Sequence, residues 1–251
     1  MSKTTIPRGG ITADAIDATL VTDDAISDEH LDVTAVTGQT AITSLADTDK
    51  FLVSDASDSG NLKYVEKQYL GGGALIKTGQ TTLGSDASTL TVDNCFTSDY
   101  GNYFVVMEDM TCTSDDQNFR MRFRTGGASG STDTGSQYRN ASRYFDDDGS
   151  TASNTGVDQQ QFTLSDGSEE SADWKGFNGF FVFYQPQENS SSRFSGSGSF
   201  TRNTASDEDV VSSHNAGHYD SNAIHTGLHF FYSSGNLRAG ANVIVYGISE
   251  A

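Results

Sequence analysis

Apolar and polar residues alternate in short segments along most of the chain, a pattern typical of β-strands with one buried face. It is clearest at residues 119–124, where Phe119, Met121 and Phe123 alternate with three arginines. The predicted strands are 75–82, 88–95, 102–111, 118–125, 136–145, 159–165, 176–185, 193–201, 210–219, 223–233 and 241–248. This spacing is typical of an antiparallel sandwich. We therefore predict an all-β protein whose residues 74–251 form an antiparallel, jelly-roll-like β-sandwich.

The last two predicted strands have the pattern of a closing hairpin. One strand carries its apolar side chains in a single register, and the next follows after a loop between Gly235 and Gly240. The apolar positions are Ile224, Leu228, Phe230 and Tyr232 in the first strand and Val243 and Val245 in the second. We expect one face of this hairpin to lie in the core.

Residues 1–38 have a different pattern, with one apolar residue in every five. These residues are Ile11, Ile16, Val21, Ile26 and Leu31. A spacing of five fits neither a helix nor a strand, and so few apolar side chains cannot offset the entropy lost on ordering. The segment is therefore either a disordered tail or an extended arm that lies along a partner protein or along other copies of the chain.

Residues 39–73 form a candidate module between the arm and the sandwich. Short apolar strands at 51–53 and 62–65 flank a loop of turn-forming residues, which predicts a β-hairpin. Three glycines at 71–73 follow as a flexible linker. Because a two-stranded hairpin is only marginally stable alone, we expect this module to need neighbours.

Charge narrows the range of partners. The 251 residues include 34 acidic and 15 basic side chains, for a net charge of -19. Such a chain repels phosphate backbones and anionic membranes, so we expect neither nonspecific nucleic-acid binding nor membrane insertion. No apolar run is long enough to span a bilayer, and no secretory leader is recognisable, so we expect synthesis in a cytoplasm.

Arg120, Arg122 and Arg124 are the most unusual charged feature of this acidic chain. They form either a solvent-facing ladder paired with acidic residues, or a surface that recognises an acidic sugar or phosphate, or a subunit contact. Trp174, the only tryptophan, either stacks on a sugar ring or packs in the core.

Catalytic and metal-binding motifs are weak. His214, His218, His225 and His229 cluster in sequence without a ligand spacing, and we expect solvent-facing strand histidines. The run Asp146-Asp147-Asp148-Gly149 lacks the glycine position and final Glu of a calcium loop, so it is interpreted as a solvated turn. Cys95 and Cys112 are interpreted as ordinary strand residues. We expect no cofactor, no metal and no catalytic residue.

Three segments resemble virion structural proteins of tailed bacteriophages, particularly short tail fibres. The closing segment 242–248 is similar to the final strand of fibre-tip sandwiches, and residues 45–55 with 62–65 resemble the small hairpin module that often precedes the tip. The Asp-Ala-Ile-rich start, Ile11-Thr12-Ala13-Asp14-Ala15-Ile16 through Asp24-Ala25-Ile26, looks like the beginning of such fibres.

This resemblance implies a homotrimer, located in the virion, whose arm (Ile11, Ile16, Val21, Ile26 and Leu31) docks on other virion proteins of the tail or capsid. The sandwich would then bind a glycan or protein of the bacterial surface. The chain lacks a collagen-like shaft and a His-x-His motif, which favours a short fibre over a long rod. A capsid-decorating head fibre and a polysaccharide-degrading tip enzyme, which would need paired acids in a groove, are the alternatives.

Overall fold

Two β-sheets packed face to face form the C-terminal part of the chain. The computed structural model describes residues 48–67, 75–167, 176–204 and 207–249, together with positions 38, 40, 45 and 46. Within these ranges the regular structure is β-strand, apart from single 3₁₀ turns at Ala56–Asp58 and Gly127–Ser129. The predicted all-β sandwich is confirmed.

The strands follow the chain in a simple numbering. They are β1 (Lys50–Asp55), β2 (Asn61–Glu66), β3 (Leu75–Thr82), β4 (Leu90–Val92), β5 (Asn102–Met110), β6 (Phe119–Thr125), β7 (Ser131–Thr132), β8 (Tyr138–Asp146), β9 (Thr151–Gln159), β10 (Phe162–Thr163), β11 (Phe177–Tyr184), β12 (Arg193–Thr204), β13 (Asp207–Tyr219), β14 (Gly227–Tyr232) and β15 (Asn242–Ile248).

The large sheet has eight strands in the order β3-β15-β5-β11-β12-β13-β8-β9. The small sheet has five, in the order β10-β6-β14-β4 with β7 also paired to β6. All pairings are antiparallel. These thirteen strands exceed the eight of a simple jelly roll, and the additional ones widen the large sheet.

Each predicted strand segment contains an observed strand, but two strands were not predicted. The short β7 is one, and the edge strand β9 is the other. The side chains of β9 are exposed or half-buried on both faces, because its position at the sheet edge removes the need for an apolar face. An alternation of apolar and polar residues therefore never develops there.

The predicted closing hairpin is wrong, because its two strands belong to different sheets. β14 lies in the small sheet and β15 in the large one, so the intervening loop crosses between them. Leu237 in this loop is fully buried and bridges Ala87 and Cys112. Leu228, Phe230 and Tyr232 are buried as expected, whereas Ile224 precedes β14 and is 50% exposed.

Aromatic rings fill the space between the sheets. The ring of Phe123 on β6 lies 5.9 Å from that of Phe183, 6.3 Å from that of Tyr138 and 6.0 Å from that of Tyr219, all on the large sheet. At the other end of β6, Phe119 packs against Phe177 of the large sheet at 5.2 Å. These contacts make the sandwich one continuous core.

Glycines on the inner face of the large sheet make room for these rings. A Cβ atom at Gly217 would lie 2.0 Å from a ring carbon of Phe194 and 2.8 Å from one of Phe162. The rings of Phe162 and Phe194 themselves meet edge to face at 4.8 Å between centroids. The absence of a side chain at position 217 therefore lets two phenylalanines from opposite sheets interlock.

The hairpin of β1 and β2 forms a separate unit that ends at Leu70. The predicted hairpin is present, with Leu52 opposite Tyr64 and Ser54 opposite Leu62. The side chains of Leu52, Leu62 and Tyr64 are 73%, 70% and 61% exposed. Lys63 pairs with Asp55 and Asp58 beside the turn.

No helix in the described part of the chain is long and apolar enough to cross a membrane.

Substituting Gly217 tests the interlocking of the rings. Gly217→Ala should lower the free energy of unfolding by about 1–3 kcal/mol, because the added methyl group must displace Phe194 and Phe162. Urea unfolding of the purified protein measures the change. The matched control is Gly84→Ala, whose Cβ would meet nothing within 4 Å. Equal stability of the two variants would contradict this account of the core.

Candidate functional site

The three arginines of β6 lie on the outer face of the small sheet, since Phe119, Met121 and Phe123 occupy its inner face. β14 lies beside them, with His229 opposite Arg122 and Phe231 opposite Arg120. We call the surface formed by Arg120, Arg122, Arg124, His229 and Phe231 the arginine face. Its three guanidinium groups have different environments.

Arg124 holds loops together. Its guanidinium donates to the carboxylate of Asp93, to the hydroxyl of Thr132 at 2.9 Å and to the carbonyl of Gly130. The side chain is only 13% exposed. The predicted pairing with an acidic residue is therefore found for Arg124, and its donors are already engaged within the protein.

Arg122 is bound to the protein without charge neutralisation. Its Nε donates to the carbonyl of Gln160 at 2.8 Å, and Nη2 donates to the side chain of Gln161 at 2.9 Å. The guanidinium lies over the ring of Phe231, 4.7 Å from its centroid, in a cation–π contact. It forms no ion pair with any residue that the structure describes.

Arg120 is half-buried and lacks a counter-charge in the described structure. Its Nε is buried without a hydrogen-bond partner. Burial lowers the pKa of this guanidinium, and the neighbouring charge of Arg122 lowers it further. Arg120 and Arg122 thus form a cationic pair that is open to an external anion.

His229 contributes to this face as a neutral ring. Burial lowers its pKa to about 4, and the nearby charges of Arg124 and Arg122 act in the same direction. The imidazole lies 5.3 Å from the ring of Phe231. At neutral pH it can therefore offer hydrogen bonds and ring contacts without adding positive charge.

The other histidines lie elsewhere. His225 was expected to be a solvent-facing strand histidine, but it precedes β14 and is fully buried. Its ring stacks on Phe123 at 4.0 Å, and its Nδ1 lies 2.8 Å from the hydroxyl of Ser192. His214 and His218 lie on β13 in the large sheet. The described residues contain no group of three potential metal-ligating side chains.

The acidic turn between β8 and β9 is more structured than the predicted solvated turn. Asp146 is 8% exposed and pairs with Arg202 at 2.6 Å. It also accepts a hydrogen bond of 2.6 Å from the hydroxyl of Ser150. Hydrogen bonds from Ser150 lower the pKa of Asp148. This turn therefore closes a hairpin around an ion pair whose carboxylate is buried.

The cysteines lie in loop segments rather than in named strands. Both are buried, and burial raises the pKa of the Cys95 thiol to about 12. A thiol with such a pKa is not a nucleophile at neutral pH. Trp174 and the arm residues Ile11, Ile16, Val21, Ile26 and Leu31 lie outside the described residues.

A second cationic surface was not predicted. It lies on the outer face of the large sheet, where β12, β13 and β8 bring together Arg139, Arg143, Arg193, His214 and His218. The spacing of four in Arg139/Arg143 and in His214/His218 is a signal that each pair shares one strand face. The register between the strands, which joins the pairs, is not readable from sequence.

No protein-family model, curated protein or solved structure matches this chain.

Two substitutions distinguish the roles of the arginines. Arg124→Met should lower the free energy of unfolding by about 2 kcal/mol, because Asp93 loses its partner in a largely shielded position. Arg120→Met should leave stability unchanged or raise it, since it removes a half-buried charge that has no counter-charge among the described residues. Chemical denaturation compares them, and equal losses would refute the assignment.

His225 predicts a pH dependence of stability. Burial lowers its pKa from 6.5 to about 4, so the unfolded chain binds this proton first as pH falls. Above about pH 6.5 His225 is neutral in both the folded and the unfolded chain, and the free energy of unfolding is at its full value. Between pH 6.5 and pH 4 the free energy of unfolding falls by roughly 3 kcal/mol because of this group. Unfolding midpoints across this range measure the loss, which should be smaller in the non-titrating His225→Gln variant. An identical slope in both proteins would exclude His225 as the cause.

Proposed function

We propose that this chain is a tail fibre protein of a tailed bacteriophage, a structural component of the virion whose sandwich binds the surface of the host bacterium. The observation that carries this proposal is the pair Arg120 and Arg122, which has no counter-charge among the described residues although the chain has a net charge of -19. Acidic groups of a bacterial glycan or surface protein would supply the missing charge.

The frame around the pair supports such a role. β6 is fixed from behind by the fully buried rings of Phe119 and Phe123, so the arginines stand on a rigid surface. Phe231 provides an aromatic ring beneath the guanidinium of Arg122, 4.7 Å from its Cζ. Preorganised groups lose little entropy on binding, which favours recognition of a ligand without rearrangement.

The hairpin supports the proposed homotrimer. Leu52, Leu62 and Tyr64 share one face of a two-stranded sheet and are largely exposed. Such a face is stabilised when another polypeptide covers it, and copies of the chain are the partner the proposal requires. Several trimers on one virion would then convert weak single contacts into strong attachment through effective concentration.

Truncation tests the role in attachment. Virions of the encoding phage whose chain ends after residue 73 should remain intact and should lose adsorption to host cells. The phage with the full-length chain is the control, and adsorption is counted as free particles remaining after mixing. Normal adsorption with fragile particles would instead identify a capsid-decorating protein. New reducing ends in host polysaccharide treated with the purified protein would identify a degrading enzyme.

Mass measurement tests the oligomer. Purified full-length protein should have a solution mass three times the chain mass of 26.8 kDa by light scattering. Leu52→Ser with Tyr64→Ser should shift the protein toward the monomer, because both substitutions remove exposed apolar surface from the hairpin. The matched control is Val157→Ser, which removes an exposed apolar side chain from β9. A monomeric full-length protein would overturn the trimer.

A further inference from the structure

The cationic surface of the large sheet is built from three parallel rows of outward-facing residues that cross the strands. The first row consists of Phe180, Ser197, His214, Arg143 and Ser153. The second row consists of Val182, Ser195, Ala216, Ala141 and Thr155. The third row consists of Tyr184, Arg193, His218 and Arg139. Small side chains fill the middle of the second row, while cations and imidazoles stand in the two outer rows.

This arrangement makes a trough. Residues in the first and third rows are four positions apart on each strand, which separates the two rows by about 13 Å. Between them Ser195, Ala216 and Ala141 form a low floor. The depression along the first two rows has a volume of about 660 Å³ and is lined by Arg143, His214 and Ser197 among others. We call this depression, with both flanking rows, the cationic trough.

Two of its three arginines lack a counter-charge. Arg143 is exposed and makes one long hydrogen bond, of 3.4 Å, to the hydroxyl of Thr151. Arg193 is exposed and forms no ion pair with any residue that the structure describes. Arg139 is paired with Asp220 at 2.7 Å and lies 3.5 Å from Asp158. The Nε2 of His218 is shielded and has no hydrogen-bond partner.

Hydroxyl groups and aromatic rings complete the trough. The hydroxyl oxygens of Ser195 and Tyr184 lie 3.3 Å apart, and the hydroxyl oxygen of Ser197 lies 2.8 Å from Nδ1 of His214. Tyr184 is 42% exposed and Phe180 48% exposed along one end. Cations set apart by a neutral floor with hydroxyls, beside exposed rings, match a ligand that alternates charge with hydroxyl-bearing apolar rings.

We propose that the cationic trough binds an anionic saccharide chain, with Arg143 and Arg193 on opposite sides of the floor contacting its acidic groups. The acidic groups are carboxylates or phosphates, which a guanidinium binds in the same forked geometry. A sugar ring occupies the floor over Ala216 and Ala141. This inference rests on the proposed function in naming a bacterial surface as the source of the ligand, although binding itself is measured without phage.

The charge of the whole chain favours a saccharide over a polynucleotide. A net charge of -19 opposes a ligand as densely charged as duplex DNA, which carries one charge per about 1.7 Å of its axis. Screening limits that repulsion to about 8 Å at physiological ionic strength, so separated charges on a glycan interact mainly with the trough. The neutral row of Ser195, Ala216 and Ala141 provides no partner for a continuous line of phosphates.

Glycan binding by the full-length protein tests the proposal. The probes are polygalacturonate, which carries carboxylates, phosphomannan, which carries phosphodiesters, and neutral dextran; affinity is measured by biolayer interferometry at 150 mM salt. At least one acidic glycan should bind, and dextran should not. Arg143→Gln and Arg193→Gln should each weaken binding by about tenfold, the value of one charged hydrogen bond.

The controls remove the same charge elsewhere or block the floor. Lys77→Gln alters an exposed cation on the same sheet face, four strands from β12, and should change affinity by less than about twofold because screening acts over that distance. Ala216→Glu places a carboxylate in the floor and should abolish binding. Thermal unfolding checks that each variant is folded.

Each outcome of the glycan-binding measurement supports or contradicts the proposed site. Binding to polygalacturonate alone identifies carboxylates as the recognised group, and binding to phosphomannan alone identifies phosphates. The proposal would be overturned if neither acidic glycan bound or if dextran bound equally well. It would also be overturned if Arg193→Gln and Lys77→Gln lost the same amount of glycan affinity. If the protein binds an acidic glycan but virions with the truncated chain still adsorb to host cells, the proposed tail-fibre function is wrong and the proposed glycan site is supported.

Discussion

The interlocking of aromatic rings between the two sheets is the constraint on which the rest of the structure depends. Phe123 on the small sheet contacts Phe183, Tyr138 and Tyr219 of the large sheet, and each of these rings is almost entirely buried. Large rings from both sides fit only where an opposing residue is small, which is why Gly217 faces Phe194 and Phe162. Once this packing is fixed, each strand that contributes to the core has one buried face and one face toward solvent.

The free faces carry the chemistry. On β6 the period of two that buries Phe119 and Phe123 also places Arg120 and Arg122 together outside. On β13 the same rule places His214 and His218 outside, while Ser213 and Asn215 face inward. The two cationic surfaces therefore lie on opposite outer faces of the sandwich. Neither requires a mobile loop to form.

Local pattern was enough to predict the strands but not their partners. Alternation identified β6 and β11 because their inner faces are apolar. It missed β9, whose residues are exposed on one face and only half-buried on the other, and it joined β14 to β15 because proximity in sequence suggested a hairpin. The arginine row could be read from one strand. The cationic trough could not, because the alignment of Arg193 with His218 and Arg139 depends on pairings between distant segments.

The placement of the acidic residues separates arginines that are neutralised within the protein from arginines that are not. The chain has 34 acidic side chains, yet the residues directly opposite Arg120 are Thr163 and Phe231, and His218 is opposite Arg193. By contrast Arg124 meets Asp93 and Arg202 meets Asp146, both in positions shielded from solvent. In these two ion pairs an internal carboxylate neutralises the guanidinium. Arg120, Arg122, Arg143 and Arg193 lack such a carboxylate in the described structure, and their unneutralised charges point to an anion from outside the chain.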